Sequence, residues 1–228
     1  MSQDEPARLR GPPRTVALFD LDGTLTFHDT LMPFVLGFAA RHPARLAGTW
    51  RLAAALAGYA RSRDRGLLKS RVIRVAMGGA GRTEIDAYAQ RFVDRLEPGG
   101  AFRAAGLATL EAHRAAGDRL VLLSASPDLY VPAIGKRLRF ERTLCTEVAW
   151  DGDRLNGALK TANRRGEEKV RCLEWLRTQY PGASIVAYGN SASDLPHMRH
   201  ADRAVLVNGD ARARRLAGGL GIALADWA

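Results

Sequence analysis

The chain has 228 residues, 46% hydrophobic and 25% charged, with a net charge of +10 and a pI of about 10.4. That length holds one ordinary domain with a sizeable insertion, or two small domains, and the composition excludes wholesale disorder. The positive balance favours anionic partners, yet nucleic acid is not expected, because the charge is mostly Arg dispersed along the chain without a zinc-finger spacing or an RNA-recognition signature.

Residues 1–14 mix Asp, Glu, Arg and Pro without an apolar core, which reads as a flexible tail and not a secretory signal. Thr15 to Phe19 is a short buried strand, β-branched and aromatic, ended by Asp20-Leu21-Asp22-Gly23-Thr24. Alternation along an extended chain turns Asp20 and Asp22 to one side. Two like charges close together are costly in a core, but at a strand tip they form an oxygen site for a hard divalent cation.

From His28 to Gly100 the chain is rich in Ala, Leu and Arg and poor in strand signals, which predicts an inserted helical domain. Within it Leu31 to Phe38 is strongly apolar, and Leu46, Trp50, Ala53, Ala57 and Ala60 fall on one helix face with Arg51 opposite. Basic residues flanking apolar ones raise the option of peripheral contact with an anionic membrane through this insertion. Pro98-Gly99-Gly100 reads as the hinge back to the core, so the division is residues 15–27 and 101–228 as core and 28–100 as cap.

A helix over Phe102 to Ala116 leads to a strand at Arg119 to Leu123, followed by Ser124-Ala125-Ser126-Pro127. Thr143 to Trp150, a turn at Asp151-Gly152-Asp153, and Leu155 to Leu159 read as a β-hairpin flap. A helix over Gly166 to Tyr180 carries Lys169 near its start. Strands at Ser184 to Tyr188 and Arg203 to Val207 follow, the first running into Gly189-Asn190 and on to Asp194. Apolar strands separated by helices predict a Rossmann-like α/β core, a parallel sheet with helices on both faces. Active groups collect beyond the carboxyl ends of such strands, where Asp20, Ser124 and Asn190 all stand. Cys145 and Cys172 lack a CxxC spacing, so neither a disulfide nor a zinc site is expected and the cytoplasm is the natural compartment. No apolar run is long enough to span a bilayer.

Taken in order, Asp20-Leu21-Asp22-Gly23-Thr24, Ser124, Lys169 in Gly166-Glu167-Glu168-Lys169-Val170, and Gly189-Asn190-Ser191-Ala192-Ser193-Asp194 resemble the four motifs of haloacid-dehalogenase-like hydrolases. The position of the insertion and the Gly-Glu-Glu-Lys-Val run are similar to the phosphoserine-phosphatase-like branch, which includes phosphatidylglycerophosphate phosphatases. The resemblance implies a Mg²⁺-dependent phosphomonoesterase. Asp20 would form an aspartyl-phosphate and Asp22 would serve as general acid and base. Mg²⁺ would be held by Asp20, the Asp22 carbonyl, Asn190 and Asp194. Gly23, Thr24, Ser124, Ala125 and Lys169 would grip the phosphate. The family motif usually begins Gly-Asp where this chain has Gly189-Asn190, which implies weaker metal binding. The implied substrate is a small-molecule phosphate ester such as an amino-acid or amino-alcohol phosphate, with Asp29 as the acid to meet an ammonium. Alternatives are a lipid phosphate such as phosphatidylglycerophosphate or, in another class, a non-catalytic phosphate-ligand binding protein.

Overall fold

The computed structural model describes residues 15–42 and 64–228. The tail expected at residues 1–14 and the stripe from Leu46 to Ala60 lie outside them. Strand β1 (Thr15–Phe19) is central and buried from Val16 onward. Its neighbours are β2 (Arg119–Pro127) on one side and β6 (Ser184–Gly189) on the other. With β3 (Arg142–Thr146), β7 (Arg203–Val207) and β8 (Ala223–Ala225) the order is β3-β2-β1-β6-β7-β8, every pair parallel. The chain winds outward one way from β1 to β3 and then the other way from β6 to β8. That reversal beside β1 is where open α/β sheets form their crevice.

Alternation distributes the strand residues between two cores. Ala17, Phe19, Leu120 and Leu122 enter the larger one. Val16, Leu18, Val121 and Leu123 face Leu173 and Leu176 of the helix after the hairpin. Sheet and flanking helices thus make the doubly wound α/β core anticipated from the strand pattern.

Three helices in the described residues lie between β1 and the helix leading to β2: α1 (Leu31–Ala39), α2 (Arg65–Met77) and α3 (Arg82–Leu96). The Asp64 carboxylate caps α2 by accepting from the Leu67 amide at 3.0 Å. On α3, Ile85, Tyr88, Ala89, Phe92 and Val93 form the buried stripe, at helical spacing. The chain leaves and re-enters the core at one place. Thr26 pairs with Phe102, and the Phe27 and Arg103 amides donate to Ala101 and Leu25. Then come α4 (Ala104–Ala115), β2, α5 (Val131–Arg137) and β3.

The hairpin is β4 (Val148–Asp151) with β5 (Arg154–Leu159), shorter than its sequence suggests. Thr143 and Leu144 instead register with Leu122 and Leu123 of β2, so the first part of that run forms the sheet's edge. The hairpin joins the helical segment through backbone bonds from Gly79 to Leu155, Leu155 to Ala80 and Arg82 to Asp153. Gly157 is required at this seam. Its φ is +83°, and a Cβ there would lie 2.8 Å from the Arg74 Cα. Helix α6 (Glu167–Gln179), α7 (Leu195–Arg199) and α8 (Ala211–Gly218) complete the chain. No helix among the described residues is long and apolar enough to cross a membrane.

Candidate active site

Strand registry brings the functional loops together. Phe19 sits opposite Leu122 and Tyr188, and the Asp20 amide donates to the Tyr188 carbonyl at 2.9 Å. The residues following all three strands therefore share one edge. After Asp20 the chain makes one wide turn over Leu21–Leu25, closed by the Thr26 amide on the Leu21 carbonyl, with Gly23 at φ +81°. Gly23 has a second reason to be glycine: a Cβ there would come within 2.1 Å of Asn190 Nδ2. The fourth loop is thus seated directly on the first.

Lys169, Leu173 and Leu176 share the buried face of α6, which aims the lysine under the strand ends. Its Nζ donates to Asp20 Oδ1 at 2.6 Å and to Asp194 Oδ1 at 2.7 Å. Thr24 donates to Asp20 Oδ2 at 3.1 Å. Asp194 Oδ2 accepts from Ser191 Oγ at 2.7 Å and from the Ser191 and Asn190 amides at 3.0 and 3.3 Å. Both Asp194 oxygens are therefore engaged in holding the lysine and the loop that carries Asn190.

Asp22 lies to the other side. Its Oδ1 accepts from the Thr30 amide at 2.8 Å and Thr30 Oγ1 at 2.6 Å, and its Oδ2 from Ser126 Oγ at 2.6 Å. Ser124 is fully buried and accepts from the Ser126 amide at 3.0 Å, which fixes Ser124-Ala125-Ser126 at the irregular end of β2. Lys69 of α2 reaches the same strand end. Its buried ammonium donates to the Ala125 carbonyl and, at 2.6 Å, to Asn163 Oδ1.

Of the residues expected from sequence, Asp20, Asp22, Gly23, Thr24, Ser124, Ala125, Lys169, Asn190 and Asp194 all fall on the converging ends of these strands, their following loops and the first turn of α6. Asp29 is placed otherwise. It is exposed, and its Oδ1 caps α1 by accepting from the Leu31 and Met32 amides at 2.9 and 3.2 Å. Ser126, Thr30 and Lys69 were not singled out. Ser126 follows Ser124 at strand spacing and could have been found that way. Thr30 and Lys69 carry no local signal.

Burial raises the Asp20 carboxyl well above the carboxylate range, in spite of Lys169, with Asp194 and Asp22 adding to the rise. Burial opposes the Asp194 charge too, yet Lys169, His197 and Ser191 together hold its carboxyl below the ordinary range. One ammonium faces two buried carboxyl groups, Asp20 and Asp194, with the Asp22 carboxyl nearby. That imbalance suits a divalent cation, and the available donors fit a hard one: the Asp20 carboxylate, the Asp22 carbonyl and the Asn190 amide oxygen. Among the described residues no three His, Cys, Asp or Glu side chains form a metal cluster. The donor set would thus combine one carboxylate with two neutral oxygens. Asn190→Asp is expected to tighten Mg²⁺ binding about tenfold or more, the value of roughly one further charge contact at the surface of a buried site. Titration calorimetry with Mg²⁺ reads it, and unchanged affinity would remove Asn190 from the metal set.

The sequence model of the haloacid dehalogenase-like hydrolases matches residues 17–199, which contain all four loops. The chain belongs to this family. Protein CicA of Caulobacter vibrioides is 32% identical over 186 residues, covering 81% of this chain and 82% of that one. A protein of unknown function from Bordetella pertussis Tohama I has the same fold, with a TM-score of 0.80 at 21% identity over 94% of this chain and 99% of the other. A phosphoserine phosphatase, solved as a phospho-aspartyl intermediate analogue, superposes with a TM-score of 0.63 at 14% identity, covering 89% of this chain and 90% of its own. Family membership makes the chain a hydrolase. The matched residues include Asp20, Lys169 and Asp194.

Proposed function

We propose that the protein is a Mg²⁺-dependent phosphomonoester hydrolase working through an aspartyl-phosphate on Asp20, with residues 28–100 as a cap over the site. The observation that carries this is Lys169 Nζ at 2.6 Å from Asp20 Oδ1, beside an Asp22 already held in place by Thr30 and Ser126. A carboxylate must attack a phosphate of the same charge sign. At an effective dielectric near 20, one cation at about 4 Å offsets about 4 kcal/mol of that repulsion. Bound Mg²⁺, on Asp20, the Asp22 carbonyl and Asn190, would supply further charge neutralisation between nucleophile and phosphate. Asp20 attacks phosphorus and the ester P–O bond breaks, while Asp22 gives its proton to the leaving oxygen. Water then attacks the aspartyl-phosphate, giving its proton to Asp22 and releasing phosphate. The Ser124–Ser126 end of β2 and Lys169 hold the phosphate oxygens. The fold relative captured as a phospho-aspartyl analogue supports this reading.

The substrate class follows from Lys69. Its hydrogen-bond partners are a carbonyl and an amide, and no carboxylate pairs with it among the described residues. A buried ammonium with no carboxylate in hydrogen-bond reach, and only the more distant charges of Asp22 and Asp29 acting on it, fits a substrate whose leaving group carries its own anion. A small phosphorylated metabolite with a carboxylate is the first reading. A lipid phosphate with a phosphodiester is the second, favoured by the exposed Met32, Leu36 and Leu67 on α1 and α2.

A panel of O-phosphoserine, O-phosphoethanolamine and short-chain phosphatidylglycerophosphate, assayed with Mg²⁺, tests both. The expected result is kcat/KM about 30-fold higher for the preferred anion-bearing ester than for O-phosphoethanolamine, the value of a buried charge-assisted hydrogen bond. Burial lowers the Lys69 ammonium to about 8, against Asp22 and Asp29. The cation is therefore present below that pH and lost above it, and the preference should fade on that limb. No hydrolysis of any phosphomonoester would sink the enzyme reading. Equal rates on all three would remove Lys69 from substrate choice.

A further inference from the structure

We propose that Thr30 is a positioning residue that makes the acid work of Asp22 conditional on the seating of α1, by holding the carboxyl in one orientation. The inference rests on the assignment of Asp22 as general acid and goes beyond it. Thr30 belongs to the first turn of the helical segment: its carbonyl accepts from the Phe34 amide at 3.1 Å, and α1 begins at the next residue. Both its amide and its hydroxyl converge on one atom, Asp22 Oδ1, at 2.8 and 2.6 Å. The other oxygen, Oδ2, accepts from Ser126 Oγ at 2.6 Å, so three donors hold the carboxyl in one orientation.

The hydroxyl's direction is settled from behind. Thr30 Oγ1 lies 2.9 Å from the Tyr130 hydroxyl. Because Thr30 spends its single hydrogen on Asp22, Tyr130 must donate to Thr30. Tyr130 stands at the start of α5 in the sheet core, fully buried, with its ring 4.4 Å from Phe34 and 5.6 Å from Phe92 by centroid. The rings of α1 and α3 therefore pack on the same tyrosine whose hydroxyl orders the hydrogen bond to the acid. When α1 is seated, the Tyr130–Thr30–Asp22 chain is complete and Oδ2 faces the Ser126 end of β2 that holds the phosphate. A shift of α1 by an ångström or so breaks both Thr30 bonds together and frees the carboxyl to rotate. In the chemical step the Asp22 proton passes to the leaving oxygen as the ester P–O bond breaks. It is regained from the water that cleaves the aspartyl-phosphate, so the acid is restored each cycle.

Leaving-group dependence separates this role from a packing role. An alkyl leaving group needs the proton, whereas p-nitrophenolate departs largely without it. Wild type, Thr30→Val, Thr30→Ser, Tyr130→Phe and Asp22→Asn would be compared with Mg²⁺ on an alkyl phosphate and on p-nitrophenyl phosphate. For Thr30→Val the expected kcat loss on the alkyl ester is about 30-fold and at least about tenfold greater than on the aryl ester, with KM within about threefold, since only part of a general acid's contribution is removed. Thr30→Ser should recover to within about threefold of wild type, because it keeps both donors. Tyr130→Phe should show the same bias at smaller size, and it carries the test if Thr30→Val does not fold. Equal losses on both esters, or no loss, would overturn the proposal while leaving the phosphatase reading intact. A uniform loss in Asp22→Asn would overturn the acid assignment and the proposal with it.

Discussion

Asp20→Asn is expected to lower kcat by at least about 10⁴-fold on every phosphomonoester, the scale seen when a covalent nucleophile is removed. The substitution is nearly isosteric and keeps the packing. Its amide oxygen can still accept from Lys169, and its Nδ2 can donate to Thr24 Oγ1, in place of the present contacts at Oδ1 and Oδ2 of 2.6 and 3.1 Å. Folding should therefore survive, and one buried negative charge disappears from a cluster that has too many. Thermal stability without Mg²⁺ should hold or rise while turnover vanishes. Steady-state assay beside a melting curve reads both. Activity within about tenfold of wild type would mean that phosphorus is attacked by something other than Asp20.

Lys169→Met should be the more damaging change overall. The lysine is 2% exposed, and Asp194 is equally buried. Burial alone would lower its pKa, but Asp194 and Asp20 raise it above the ordinary lysine range, so its charge persists throughout the accessible pH range. Methionine matches the stem and removes the charge, leaving two buried carboxyl groups without their cation. Breaking a buried ion group from one side costs about 3–5 kcal/mol. Activity should fall by about 10³-fold as well, since the charge near the phosphate is lost with the positioning of Asp20. Denaturant unfolding and kinetics measured on the same preparation check the pair of effects. A loss of activity with wild-type stability would mean that the lysine is not tied to both carboxylates in solution.

The sheet was legible because its strands are unbroken apolar runs, each ended by a polar residue or glycine. Parallel burial on both faces requires that pattern, and the Asp20, Ser124 and Asn190 positions follow from it. The boundary at residues 143–151 was not legible. Thr143 and Leu144 suit an edge strand and a hairpin arm equally, and only pairing with β2 decides. Strand β8 has three residues, too few for any period.

Within the site, Asp29 was misleading for a local reason. An Asp just before an apolar helix is first of all a cap, and its two bonds to the Leu31 and Met32 amides occupy it. Thr30 and Lys69 were invisible for the opposite reason. Each acts across a long stretch of chain, on Tyr130 and on Asn163, and only the folded arrangement of the helical segment against the sheet reveals them. Asp194 was legible as a member of the fourth loop, but not the fact that Lys169, Ser191 and the Asn190 amide take up its oxygens.

The central claim is covalent chemistry at one named carboxylate, and trapping that bond tests it most directly. Protein mixed with Mg²⁺ and a turned-over phosphate ester labelled in its phosphoryl group would be quenched in acid within the first turnover, digested and mapped by mass spectrometry. The phosphoryl group should be found on the peptide containing Asp20, in alkali-labile form, and be absent from Asp20→Asn. Label on Ser124, Ser126 or another residue, or rapid turnover with no covalent label at all, would contradict the account.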